Sequence, residues 1–160
     1  MLKFHKWLYK RRIDILILIG VLLPVVLSLL VFVIDLHLFG ILSNDDYDPI
    51  SQIEENPFLL LALIIFGPLL ETTIQYIPVK ISCFALSKYK YANCLAIALS
   101  AIIFGILHHP GLLYFISLSF AGFVWASICF ILIRRRFYPY PIVAAIHALY
   151  NTSILGLCYL

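Results

Sequence analysis

The sequence predicts an all-α fold: a polytopic membrane protein made of a bundle of about five transmembrane helices. Three observations lead there. Of the 160 residues, 64% are hydrophobic and only 12% charged, and the mean hydropathy is +1.06. A soluble domain of this size lacks the polar surface to cover so much apolar side chain, so its solvent is lipid. The apolar residues also fall into runs near the roughly 20 residues that a bilayer crossing requires. Finally, the cations gather at the ends of those runs, which is a topology signal.

The first apolar run covers residues 13–39, with Pro24 as an expected kink. It is too long for the core of a signal peptide, and no small-residue cleavage site follows it, so a retained helix is expected. An acidic loop, "GILSNDDYDPISQIEENP", comes next and holds no Lys or Arg. The second run covers 58–81, and the mixed stretch "SCFALSKYKYAN" follows it as an interfacial segment. The third run, 94–108, is short for a full crossing; the fourth covers 112–133 and the fifth 141–160. The whole chain reads as one membrane domain, 1–160, with a core from 58 to 160 preceded by the first helix and acidic loop, 1–57.

Lys3, Lys6, Lys10, Arg11 and Arg12 precede the first run, Lys80, Lys88 and Lys90 follow the second, and Arg134, Arg135 and Arg136 follow the fourth. The positive-inside rule then puts the N-terminus in the cytoplasm. The net charge of +3 is too small and too scattered for a nucleic-acid surface. The four cysteines, Cys83, Cys94, Cys129 and Cys158, show no metal-knuckle or redox-pair spacing, and inert thiols are expected. Most of the tyrosines and tryptophans suit interfacial anchoring.

An ionisable side chain inside a bilayer costs at least about 2.5–3.5 kcal/mol, so each one needs a reason. Glu71 lies in the middle of the second run, in "FGPLLETTIQYIPVK". Gln75 shares its helix face, and Pro68 and Pro78 leave carbonyls without partners. His108 closes the third run, one turn after Phe104, while His109 projects about 100° away and reads as an idle residue at a helix end. His147 and Asn151, in "HALYN", share one face of the last run. Taken singly, Glu71 and the His147–Asn151 pair have a structural explanation as hydrogen-bonding locks between helices, and His108 as a wet, idle histidine at a helix end. Together, a carboxylate, two imidazoles and a carboxamide from three runs equip a pocket for general-base hydrolysis with donors for a developing oxyanion. Depth is the strained point. Glu71 and His147 lie about six to ten residues from the inner ends and His108 about 14 or more, several ångströms apart at 1.5 Å per residue.

The order Glu…Phe-x-x-x-His…His-x-x-x-Asn resembles that of the CPBP intramembrane protease family, which includes type II CAAX prenyl endopeptidases and Abi proteins of bacteriocin processing and immunity. The motifs here are "ETTIQY" from Glu71, "FGILH" ending at His108, and "HALYN" from His147 to Asn151. The resemblance covers roughly the last 100 residues, from Phe58 on. It implies an intramembrane endopeptidase in which Glu71 activates water, His108 helps to hold it, and His147 and Asn151 stabilise the oxyanion. The first motif departs from the family's two glutamates and arginine: Thr72 and Tyr76 stand at the second and third of those positions. That departure falls on the support of the site and marks a divergent or inactive member.

The family is often labelled metalloprotease, and Glu71, His108 and His147 are the donors that would hold zinc. The motifs leave zinc and metal-free catalysis both open, with a slight lean to metal-free, because Asn is a poor zinc ligand and a good oxyanion donor. The partners implied are membrane lipid and a peptide or protein substrate, whether prenylated, leader-type or transmembrane, in a bacterial plasma membrane. Two other readings stand beside this one. The first is a non-catalytic immunity or peptide-binding protein on the same fold; the second is a small proton-linked transporter, for which the chain shows no repeat pair.

Overall fold

The computed structural model describes residues 11–38, 56, 58–89, 91–108 and 112–158. Lys3, Lys6, Lys10, Lys90, His109 and nearly all of the acidic loop lie outside them. Five apolar helices follow in order: α1 (Ile13–Leu38), α2 (Phe58–Phe84), α3 (Ala92–Leu107), α4 (Leu112–Arg134) and α5 (Pro139–Cys158). Among the described residues there is no strand. Four of the helices are long and apolar enough to cross a membrane, and α3, at 16 residues, is the short one. The protein is a small helical bundle of the membrane type.

The helices sit close to the runs that predict them, and the shifts have local causes. Pro24 is carried inside α1 without ending it. α2 continues past residue 81 to Phe84, because Ser82 and Cys83 are buried against the bundle. There the Ser82 hydroxyl reaches both the Val79 carbonyl and Asn93 of α3. α5 opens at Pro139 rather than Pro141, since proline's fixed φ and missing N–H suit the first position of a helix.

α4 is the hub. Its apolar window is 72% buried, against 17% to 28% for the other three long helices, and it packs against α1, α2, α3 and α5. Helix packing in lipid relies on small residues and close approach, because lipid tails are as apolar as leucine. Gly20 of α1 shows this: a Cβ there would meet Ile146 Cγ2 at 2.7 Å and Ile128 Cδ1 at 2.9 Å. Gly105 of α3 shows it again, since a Cβ would strike the Ser119 hydroxyl and lie 2.9 Å from the Phe115 carbonyl of α4. Outward, Leu70, Phe84 and Leu95 are each 69% exposed, a surface that water would penalise and acyl chains would cover.

Trp125 is an exception to the interfacial placement expected of most of the tyrosines and tryptophans. It is fully buried in α4, and its indole N–H donates to the Gly20 carbonyl at 2.8 Å. With that one polar atom satisfied, the ring is free to act as core. Tyr150 is buried for the same reason, with its hydroxyl 2.8 Å from Ser28, which in turn lies 3.2 Å from Ser117. These hydroxyls tie α1, α4 and α5 together inside the apolar layer.

Candidate functional site

An irregularity in α2 positions Glu71. Pro68 has no N–H, and its ring crowds the carbonyl four residues earlier. The helix widens to accept it: Ala62–Phe66 form a π-helical stretch, and the Gly67 N–H donates to Ala62 O. In a regular α-turn that N–H would serve Leu63 O. In the widened register Leu63 O would take the N–H of residue 68, which proline lacks. The Leu63 carbonyl is therefore orphaned twice over. Asn151 of α5 supplies the missing donor, its Nδ2 reaching Leu63 O at 2.8 Å. The expectation that proline leaves a free carbonyl here is met, and the partner comes from a neighbouring helix.

Just beyond this turn the Glu71 side chain folds back along the helix, with Oε1 only 3.4 Å from where a Cβ on Gly67 would sit. Its other oxygen, Oε2, lies 3.2 Å from His108 Nε2 and 3.1 Å from His147 Nε2. Three helices thus deliver one carboxylate and two imidazoles to one point. Oε2 is buried, and neither contact is aligned as a hydrogen bond. The cluster is not sealed: the side chains of Glu71 and His108 keep 24% and 29% of their surface, while His147 keeps 2%.

The depth difference of His108 is absorbed by its side chain. His108 is the first residue off α3, and side chains on a helix tilt toward its N-terminus. The imidazole lies back against Phe104, with ring centroids 4.3 Å apart, and Nδ1 sits 2.8 Å from the Phe104 carbonyl. That reach recovers about one turn, or about 5 Å. A carbonyl only accepts, so Nδ1 carries its proton and donates. Nε2, the nitrogen facing Glu71, is then the one able to exchange a proton. His147 is held differently. Its ring packs on Trp125 at 4.1 Å and meets Phe104 edge-on at 5.5 Å, and its Nδ1 is buried without a partner. An orphaned N–H costs more than an orphaned lone pair that packing can cover, which assigns the proton to Nε2, facing Glu71.

The structure therefore brings Glu71, His108 and His147 together and sets Asn151 apart on Leu63 O. His147 turns its Nε2 to Glu71, where the resemblance implies an oxyanion donor. Thr72 is fully buried with an unpartnered hydroxyl. Tyr76 meets Tyr140 of α5 edge-on at 5.7 Å, and the Tyr140 hydroxyl donates to Leu69 O at 2.9 Å. Further buried polar atoms, Thr72 Oγ1, both amide atoms of Gln75 and Ser119 Oγ, have no protein partner. Such atoms are costly in an apolar core unless water reaches them. Trp125 is the site residue that sequence reasoning places elsewhere. Its signal is position: it lies at the centre of a span, where an interfacial anchor has no purpose.

Among the described residues no group of three His, Cys, Asp or Glu side chains is arranged to hold a metal ion. Compared with family models, with curated proteins and with solved structures, the chain finds no match.

Proposed function

We propose that this protein is an intramembrane endopeptidase in which Glu71 activates a water molecule to hydrolyse a peptide bond in or near the membrane. The observation that carries the reading is the convergence of His108 Nε2 and His147 Nε2 on Glu71 Oε2 from three separate helices. The order of those residues, which resembles the CPBP family, supports it. So do the unpartnered polar atoms beside them, which make a wet interior the cheaper one.

The chemistry follows from these contacts. His147, buried and stacked on Trp125, is a positioning residue that holds the carboxylate in place. Glu71 accepts a proton from water as the oxygen attacks the peptide carbonyl. His108, partly exposed and with Nε2 facing Glu71, relays a proton to the leaving amine as the C–N bond breaks. The products are a carboxylate and an amine, and the base is restored.

The test is reconstitution of the full chain in proteoliposomes with a library of amphipathic peptides, the fragments being read by mass spectrometry. The expected result is cleavage that survives chelator and disappears in Glu71→Gln. Cleavage retained in Glu71→Gln overturns the glutamate-base mechanism, and loss with chelator restores the metal.

A second reading has an observation of its own. The Asn151 amide is engaged with Leu63 O, away from the Glu71 cluster. A non-catalytic peptide-binding or immunity protein needs no oxyanion donor, and under this reading peptide retention survives the combined Glu71→Gln and His108→Ala change.

A further inference from the structure

At the other end of α2 from the π-turn, the bundle opens a second polar feature. A cavity of about 580 Å³ lies between the C-terminal ends of α2 and α4 and the start of α5. Lys80, Arg134 and Arg136 line it, together with Tyr76, Phe84 and Phe137. Among the described residues no Asp or Glu lines it, and none forms an ion pair with those three cations. Two of the cations lie over aromatic rings: the Lys80 ammonium is 5.1 Å from the Tyr76 ring, and the Arg134 guanidinium is 5.8 Å from that of Phe130. A ring face orients a cation and leaves its outward hydrogen-bond donors free.

The third cation occupies an unusual position. After α4 the Phe137 N–H bonds to Leu132 O and the Arg136 N–H to Ile133 O, which closes the helix in a left-handed turn. Arg136 is the left-handed residue, with φ of 55°, and no other described residue besides glycine has a positive φ. Glycine takes this position at least cost. Here an arginine takes it, and its side chain lines the cavity.

We infer that this cavity binds the phosphate-bearing headgroup of an anionic membrane lipid. Three cations around one space, none of them in an ion pair among the described residues, fit a phosphodiester. Basic cavities between helices at the cationic end of a membrane bundle are where such headgroups dock. The walls fit the rest of the molecule: Phe84 and Phe137 are 69% and 41% exposed, apolar surface set beside the charges to receive acyl chain. A soluble phosphate compound would gain nothing from those walls.

The test uses the full chain in nanodiscs of phosphatidylcholine with or without phosphatidylglycerol, with retained lipid read by native mass spectrometry after extraction. Wild type is expected to retain phosphatidylglycerol over phosphatidylcholine. Arg134→Gln is expected to weaken that preference about fivefold, the typical worth of one interfacial cation. Arg135→Gln removes the same charge from the next residue, but the Arg135 guanidinium donates to the Arg11 carbonyl and does not line the cavity, so the preference should hold. Lys80→Gln, on a different helix, repeats the test should Arg134→Gln fold poorly. Equal loss in Arg134→Gln and Arg135→Gln reduces the effect to diffuse charge and overturns the site. So does equal retention of the two lipids by wild type. Inorganic phosphate stabilising the protein in pure phosphatidylcholine as much as phosphatidylglycerol does would move the ligand to a soluble phosphate compound, which also overturns the lipid proposal.

Discussion

At the scale of single residues, the polar groups of this protein divide by what they satisfy. Glu71, His108 and His147 meet one another at one point, Asn151 satisfies a backbone carbonyl, and Trp125 satisfies Gly20. The first three were legible in the sequence, because ionisable groups in apolar runs are costly enough to be noticed one by one. The task of Asn151 was not legible: sharing a helix face with His147 fixes its direction along α5 but not which atom of α2 it meets. Trp125 was masked by a general preference of tryptophan for the interface. The Asn151 assignment gives a double-mutant cycle. Asn151→Ala strands Leu63 O and should cost about 1–3 kcal/mol, read by denaturant titration in bicelles. In a Pro68→Ala background the residue-68 N–H returns, and the same Asn151→Ala change should cost less than half as much. Equal costs in the two backgrounds would detach Asn151 from the proline defect.

At the scale of elements, the five helices were readable from length and hydropathy to within a few residues, since lipid sets the length of a span. The π-helical stretch Ala62–Phe66 was readable only in part. Pro68 announces that a carbonyl is freed, but whether the helix kinks, breaks or widens depends on a neighbour able to cap it. The close approaches were invisible, because a glycine that admits another helix looks like any glycine. Gly105 and Gly156 separate the two kinds. Gly105→Ala should destabilise the protein by about 1–3 kcal/mol, since the added carbon strikes Ser119 and crowds the Phe115 carbonyl. Gly156→Ala, where a Cβ meets nothing within 4 Å, should be neutral or stabilising by up to about 1 kcal/mol, the usual gain from replacing a helical glycine. The same bicelle titration measures both, and equal effects would refute the packing assigned to α3 and α4.

At the scale of the whole molecule, two polar features of the bundle stand out: the Glu71 cluster within its apolar layer and the cationic cavity at one end. Both draw on α2 and α5, so the chain holds a reactive-looking centre and a headgroup-depth anchor on the same pair of helices. The helices that frame the first place are very unequal. At 1.5 Å per residue, the 27 residues of α2 span about 40 Å and the 16 of α3 about 24 Å, against a hydrocarbon core of about 30 Å. A bilayer meeting both faces cannot match either. It thickens or tilts around α2 and must thin beside the end of α3, which is where His108 sits. Hydrophobic mismatch would, on the endopeptidase reading, make a dimple in the leaflet over the Glu71 cluster and bring water and substrate down to it without any opening motion. Under the endopeptidase reading, hydrolysis should run faster in short-chain than in long-chain lipid of the same headgroup. The membrane's own thickness would then set the rate at which this centre is reached.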